Sequence, residues 1–417
     1  MPLRKCLMND DLRDRICVVV GTRPDIIKQA PLIEALGDLG ADFFIIHTGQ
    51  HYSYNMDRVF FEDLGLPEPD YKIEDTCKYK LHGEQTAIML MNIERILVKE
   101  RPRLLVITGD ANTSLAAALA AKKLHIRVAH TESGVRTFEW MTPEEHNRVL
   151  IERLSDYLFA PNEWARRNLE VDNVGGEIFV IGSTLVDALH KVRRVAERKS
   201  ILLARLGLKP DSYFLMTIHR EENLEQEHVI RNIVKGVLKA VNEFGLRLVF
   251  PIHPRTEKRL EELGLLKALV ENPMIDIIPP VGYIDFISLL SRARLVLTDS
   301  GGIQQEACIL KVPCITLREA TEWVETVLVG ANVLVGSDPE RIIKGIAHMM
   351  DSGRDWENPF GQPGVSKRIA KILVEKLREP IEVVRRRYRR RGRHVLGELP
   401  LGGQGRALEV VEDEQTS

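Results

Sequence analysis

Asp299-Ser300-Gly301-Gly302-Ile303-Gln304-Gln305-Glu306 follows the apolar run Leu295-Val296-Leu297-Thr298 and precedes Ala307-Cys308-Ile309-Leu310. The first run reads as a buried parallel strand and the last as the start of a helix, so the stretch is a strand, a glycine turn and a helix. Two glycines at such a turn let the backbone approach a ligand without interference from Cβ, and the free N–H groups of a helix start attract an anion. A diphosphate suits that arrangement; a tight turn with a helix cap fits the same residues. Glu306, about a turn and a half past Ser300, stands where a carboxylate could accept bonds from ribose hydroxyls.

The same pattern recurs on both sides of that stretch. Strands are predicted at 16–20, 43–48, 104–108, 128–131, 157–160 and 178–181, and again at 214–217, 248–252, 275–278, 295–298, 314–317 and 333–335. Helix-length amphipathic stretches such as 229–244 separate them. This alternation implies two doubly wound, parallel-sheet α/β domains, whose ligands bind outside the carboxyl ends of the strands. Gly182-Ser183-Thr184 opens a long charged segment and marks the boundary. The expected division is an N-terminal domain over 1–185, a C-terminal domain over 186–362, a last helix within 363–384, and an Arg-rich tail over 385–417 whose charge blocks predict disorder.

Polar residues collect at the strand ends. Arg23 and Lys28 follow the first strand in Gly21-Thr22-Arg23-Pro24-Asp25-Ile26-Ile27-Lys28, as a phosphate-binding pair or as solvated charges. Gln50 and His51 follow the second. Asp110, Glu132 and Glu144 follow later ones, Glu144 within Pro143-Glu144-Glu145-His146-Asn147-Arg148. Each alone reads as a helix cap or a solvated charge. If successive parallel strands carry them, the three carboxylates converge on one edge, where repulsion and burial can make a general acid or base. His219 and His253 follow strands of the second set and are either exposed caps or groups titrating near neutrality. Tyr283 and Phe286 read as core residues, or as rings that stack on a base.

With 417 residues, 44% of them hydrophobic, the chain can bury two cores. Its 58 Lys and Arg against 60 Asp and Glu leave a net charge of −2, which gives no argument for a nucleic-acid or membrane partner. Five scattered cysteines without CxxC spacing suggest neither a disulfide framework nor a zinc site. No GxGxxG is present, so a tightly bound nicotinamide is not indicated. The charged first fifteen residues and the absence of a membrane-length apolar run make a cytoplasmic enzyme the expectation.

Read in order, Gly21-Thr22-Arg23-Pro24, Thr48-Gly49-Gln50-His51, Gly109-Asp110, His130-Thr131-Glu132-Ser133-Gly134-Val135-Arg136, Pro143-Glu144-Glu145-His146-Asn147-Arg148, His219-Arg220-Glu221-Glu222-Asn223 and Asp299-Ser300-Gly301-Gly302 resemble the non-hydrolysing UDP-N-acetylglucosamine 2-epimerases. The resemblance covers 16–336. It implies a GT-B-like pair of Rossmann-like domains with a UDP-sugar in the interdomain cleft, a last helix returning to the first domain, a homodimer, and no cofactor or metal. It also implies reversible C2 epimerisation by elimination and re-addition of UDP. Asp110, Glu132, Glu144 and His219 would be the catalytic residues around the sugar. Arg23, Lys28, Gln50, His51, Arg136, Arg220, His253, Phe286, Ser300, Gly301, Gly302, Glu306 and Arg318 would bind substrate.

The chain departs from the family pattern in three places. Thr321-Glu322-Trp323-Val324-Glu325 stands where Thr-Glu-Arg-Pro-Glu is frequent, Gly182-Ser183 where Gly-Asn is usual, and Glu152 where many relatives carry Asp. These leave open a hydrolysing 2-epimerase or one acting on a UDP-2,3-diacetamido sugar. A GT-B glycosyltransferase is an alternative of another class, although a transferase has no C2 proton to remove. A silent UDP-sugar sensor would not need the carboxylates.

Overall fold

The computed structural model describes residues 12–50 and 54–379; His51 and the Arg-rich tail lie outside the described residues. Seven strands build a first sheet: β1 (Arg13–Val20), β2 (Phe43–His47), β3 (Tyr71–Lys72), β4 (Pro102–Thr108), β5 (Arg127–Thr131), β6 (Tyr157–Ala160) and β7 (Glu177–Val180). Six build a second: β8 (Tyr213–Thr217), β9 (Arg247–Pro251), β10 (Ile275–Ile278), β11 (Leu295–Thr298), β12 (Cys314–Thr316) and β13 (Asn332–Leu334). Ile16 to Val20, Leu104 to Ile107 and Leu295 to Leu297 are each at most 1% exposed. Helices cover both faces of these strands, which is why they read as unbroken apolar runs.

The strand orders are β3-β2-β1-β4-β5-β6-β7 and β10-β9-β8-β11-β12-β13. All the pairings are parallel. Each order reverses once, between β1 and β4 and between β8 and β11, and connections leaving such neighbours in opposite directions open a crevice at the strands' carboxyl ends. Two α/β domains of the expected class result.

Two local expectations differ. The helix after β11 is Gly301–Ile309, starting six residues before the expected Ala307. Asp299 and Ser300 suffice to leave the strand, and neither glycine has a positive φ, so Gly301 and Gly302 form the first helical turn instead of a separate one. β3, with only Tyr71 and Lys72, was not expected; two residues carry no readable periodicity.

The chain passes from the first sheet to the second at Gly182-Ser183 and comes back at Phe360-Gly361. The crossings touch: Ser183 N donates to Phe360 O at 2.9 Å. Gly182 (φ +102°) and Gly361 (φ +90°) lie in the left-handed region, and a Cβ on Gly182 would fall 2.8 Å from Phe360 O. Beyond the first crossing the Thr184–Lys199 helix packs on the Arg23–Asp38 helix of the first domain and on the Tyr283–Leu290 helix of the second. Beyond the second, the Val365–Arg378 helix packs on the Arg23–Asp38 helix and on β1.

Asp187 joins the two crossing helices. Its Oδ1 accepts from Gly364 N at 2.6 Å and its Oδ2 from Ser366 N at 2.7 Å, so a carboxylate from one helix caps the start of another. Replacing Asp187 by Ala removes both charge-assisted bonds and is expected to lower stability by about 2 kcal/mol, with Asp187→Asn losing roughly half as much. A urea melt checks this: the midpoint falls in that order while the slope stays constant.

Candidate active site

The first crevice is built around Gly21. A Cβ there would lie 1.9 Å from Thr113 Oγ1 and 2.4 Å from Thr48 Oγ1, so only glycine lets β1 turn between its neighbours. Thr22 and Asp25 then form a capping box that starts the Arg23–Asp38 helix. Burial pushes the Asp25 carboxyl up to about 6, although Thr22 and Lys28 pull it down. Arg23 Nε lies 3.2 Å from Asp57 Oδ1, and its guanidinium sits 5.1 Å from the centre of the Phe60 ring.

Further along that helix, Lys28 Nζ meets Glu132 Oε2 at 2.5 Å. Glu132 leaves β5 at φ +62°, an uncommon conformation for a residue with a Cβ, and its Oε1 accepts from Ser183 Oγ at 3.1 Å. Burial disfavours the Lys28 charge, but Glu132, then Asp110 and Asp25, outweigh it and raise its pKa. Asp110, after β4, is ion-paired with Arg148 Nη2. Arg148 Nη1 donates to Glu145 Oε2 at 2.8 Å, and the same oxygen accepts from Thr137 N and Oγ1 at 3.0 Å.

The second crevice is built around Asp299, which is fully buried. It accepts from His219 N at 3.0 Å, Arg220 N at 3.0 Å and Asn223 Nδ2 at 3.1 Å, and its Oδ1 lies 3.3 Å from His219 Nδ1. Burial pushes its carboxyl up, but the His219 side chain and the His219 and Arg220 amides overcome this and hold it below the usual range. Ser300 is the N-cap of the next helix without a side-chain capping bond. A Cβ on Gly301 would fall 1.6 Å from Glu322 Oε1, so a larger residue here would displace the carboxylate that Arg318 holds. Glu306 accepts from Tyr283 OH at 2.8 Å, and burial raises its carboxyl to about 7 against the opposing effects of Tyr283 and Lys28. Arg318 bridges Glu222 at 2.7 Å and Glu322 at 2.9 Å, with Arg220 3.6 Å from Glu322.

These two edges face each other. Asn162 Nδ2 donates to Glu325 Oε1 at 2.6 Å across the gap, and the Phe60 and Tyr283 rings are 6.4 Å apart. Lys28 reaches Glu306 electrostatically, and Arg148 reaches Glu322. Arg23, Lys28, Asp110 and Glu132 thus gather on one side, and His219, Arg220, Ser300, Gly301, Glu306 and Arg318 on the other.

Other expected site residues are placed differently. Arg136 is buried, with its guanidinium held by Glu152 and by Asp172 at 2.6 Å; Glu152 also accepts from Gly134 N at 2.6 Å. Glu152 therefore shapes the loop after β5. Gln50 Oε1 accepts from Thr113 N and Oγ1 at 2.9 Å and so anchors the start of the Asn112–Lys123 helix. His253 caps the Pro254–Glu262 helix through Nδ1, and burial, then His219 and Arg255, keep its imidazole below its ordinary pKa. Phe286 packs half-buried against the core, Gly302 is exposed, and Glu144 is exposed on the first turn of the Pro143–Leu154 helix.

Arg148, Glu145 and Asp299 take part in the geometry beside the expected residues, and Tyr283, read as a core residue or a ring stacking on a base, bonds Glu306 through its hydroxyl. The available signal was position: Asp299 directly follows a wholly buried strand at a switch point. Among the described residues no three His, Cys, Asp or Glu side chains gather as a metal-ligand set.

A protein-family model described as UDP-N-acetylglucosamine 2-epimerase matches residues 36–374. The UDP-N-acetylglucosamine 2-epimerase of Methanocaldococcus jannaschii is 48% identical over 363 residues, which is 86% of this chain and 99% of the relative. That of Methanococcus maripaludis is 45% identical over 362 residues, 86% of this chain and 98% of the relative. The crystal structure of Methanocaldococcus jannaschii UDP-GlcNAc 2-epimerase in complex with UDP-GlcNAc and UDP superposes with a TM-score of 0.79 at 49% identity, covering 87% of this chain and 99% of that one.

Glu306 supplies a test of the buried geometry. With its carboxyl near 7 in the fold and an ordinary value of 4.5, the folded state holds the proton more tightly than the unfolded chain does. Stability from this group is therefore greatest at low pH and declines as pH rises from 4.5 to about 7. Glu306→Gln keeps an acceptor for Tyr283 and removes the titration. Its stability relative to wild type is expected to rise by about 3 kcal/mol between acid and mildly alkaline pH, measured by urea unfolding across that range.

Proposed function

The chain belongs to the UDP-N-acetylglucosamine 2-epimerase family, and from that premise we propose that it interconverts UDP-N-acetylglucosamine and UDP-N-acetylmannosamine between its two domains. The observation that carries the reading is the charge cluster on Lys28: Glu132 bonded to it, Asp110 and Asp25 on the same domain, and Glu306 reaching it from the other. A transferase has no use for so many titratable groups around the sugar.

C2 of the substrate is not beside a carbonyl, so direct removal of its proton is too slow. As the C1–O bond breaks, C1 gains oxocarbenium character and the C2 proton becomes acidic. UDP leaves with the bonding electron pair, and a 2-acetamidoglucal remains. Re-addition of UDP at C1 and of a proton at C2 from the opposite face gives the manno epimer. Acid and base groups are then needed on both faces. Asp110 and Glu132 supply the carboxylates of the cluster, while Glu144 is exposed on the first turn of its helix. Arg148 and Lys28 are positioned to keep Asp110 and Glu132 in place through each cycle. The first turn at Ser300 and Gly301, with Arg23, holds the diphosphate, and Glu306 takes the ribose hydroxyls. Two chains assemble as a homodimer in this reading, and the enzyme works in the cytoplasm. Among the described residues no helix is long and apolar enough to cross a membrane.

Incubating the protein with UDP-N-acetylglucosamine in heavy water, without added nicotinamide or metal, is expected to yield UDP-N-acetylmannosamine carrying deuterium at C2, read by proton NMR. Free sugar plus UDP would replace the reading with hydrolysis, and no change until an acceptor is added would replace it with transfer. Asp110→Asn and Glu132→Gln are expected to lower kcat by about 10² to 10⁴-fold with little change in UDP affinity.

A further inference from the structure

Asp299 has no part in the reaction described above, yet it is a fully buried carboxylate directly before the helix start assigned to the diphosphate. Burying a carboxylate is costly unless donors surround it. Three of its donors are neutral groups: His219 N, Arg220 N and Asn223 Nδ2, at 3.0, 3.0 and 3.1 Å. The fourth contact, Oδ1 to His219 Nδ1 at 3.3 Å, is of another kind. An ionised carboxylate only accepts, so its position beside Nδ1 favours the neutral ring that carries its hydrogen there. The ring belongs to a side chain that is 43% exposed and so links a carboxylate with no exposure to the open crevice.

We infer that Asp299 is a positioning residue for the epimerisation, fixing His219 as the Nδ1–H tautomer and balancing the imidazolium whose Nε2–H donates to the leaving diphosphate. This rests on the epimerase reading. An anion arriving at Ser300 and Gly301 lies next to the Asp299 charge, which alone would repel it. The imidazolium cancels that charge, so the free N–H groups of the helix start act on the diphosphate without opposition. As the C1–O bond breaks, negative charge grows on the β-phosphate and the Nε2–H bond strengthens, which is where a transition-state contribution arises.

The other charged groups around His219 come from three strand ends. Arg220, beside it after β8, leans on Glu322; His253 stands after β9; Arg255 next to His253 pairs with Glu221 at 2.6 Å. None of these offers an acceptor to Nδ1.

Two measurements test the inference. The first is a nitrogen-15 spectrum of the imidazoles in full-length wild-type protein, with His219 identified by the signals lost in His219→Asn. It is expected to show Nδ1 protonated in the neutral ring; a ring protonated at Nε2 alone would overturn the inference, and no variant at Asp299 is needed. The second uses Asp299→Asn, which keeps the shape and one acceptor oxygen. Its kcat is expected to fall about 10²-fold with KM within about threefold of wild type. In the His219→Asn background the same change should have little further effect. An equal loss in both backgrounds would make Asp299 merely structural. Failure of the wild type to form UDP-N-acetylmannosamine would sink the epimerase reading, while the nitrogen spectrum would still decide the tautomer.

Discussion

Parallel pairing is the constraint on which everything else in this molecule rests. A strand can lie parallel to its neighbour only if the chain returns along the outside, so the segments leaving the strands of each sheet gather on one edge. The only freedom left is the direction of winding, and where it reverses the connections part. In the first sheet the parting lies between β1 and β4, and the residues beyond them are Gly21, Arg23, Lys28 and Asp110. In the second it lies between β8 and β11, and the residues beyond are His219, Arg220, Asp299 and Ser300. Turning the two polar edges toward each other makes one site from two half-sites.

The charges in that site are arranged by pairing. Glu132 has Lys28, Asp110 has Arg148, and Glu322 has Arg318. Paired this way, each carboxylate has a cation to offset the cost of leaving water. Glu306 differs, because the partner at hydrogen-bond distance is the Tyr283 hydroxyl and the lysine acts only from farther away. The site thus holds carboxylates of two kinds side by side, some bonded to a cation and others, Glu306 and Asp25, that burial pushes up to about 7 and about 6. Arg136 and Glu152 use the same ion-pair chemistry to hold the loop after β5.

Most strands were legible because burial on both faces writes them as apolar runs, and the edges of the sheets follow from where those runs end. β3 was not, since two residues make no pattern. The start of the Gly301–Ile309 helix was misplaced because glycine is read as a turn, whereas here it answers to the Glu322 carboxylate, 21 residues away in sequence. Arg136 and Arg148 looked alike in sequence. Only the third dimension shows that Glu152 and Asp172 enclose one while the other reaches Asp110. Glu144 and Glu145 are neighbours, and the rotational phase of their helix decides which is buried. The departures from the family pattern also acquire a physical meaning. Ser183 bonds Glu132, and Trp323 packs edge-on to Phe360 at 5.3 Å.

The paired crossings at Gly182-Ser183 and Phe360-Gly361 have a mechanical consequence. A single connecting strand would act as a swivel, leaving two bodies free to twist as well as bend. Two strands running side by side and bonded to each other behave like the paired straps of a door: twisting shears one against the other, and only a swing about the line through both remains soft. The glycines supply the backbone compliance at that line. The two half-sites are therefore held in a fixed register, so that alignment of the reacting groups is inherited from chain connectivity and does not have to be found anew by each incoming substrate.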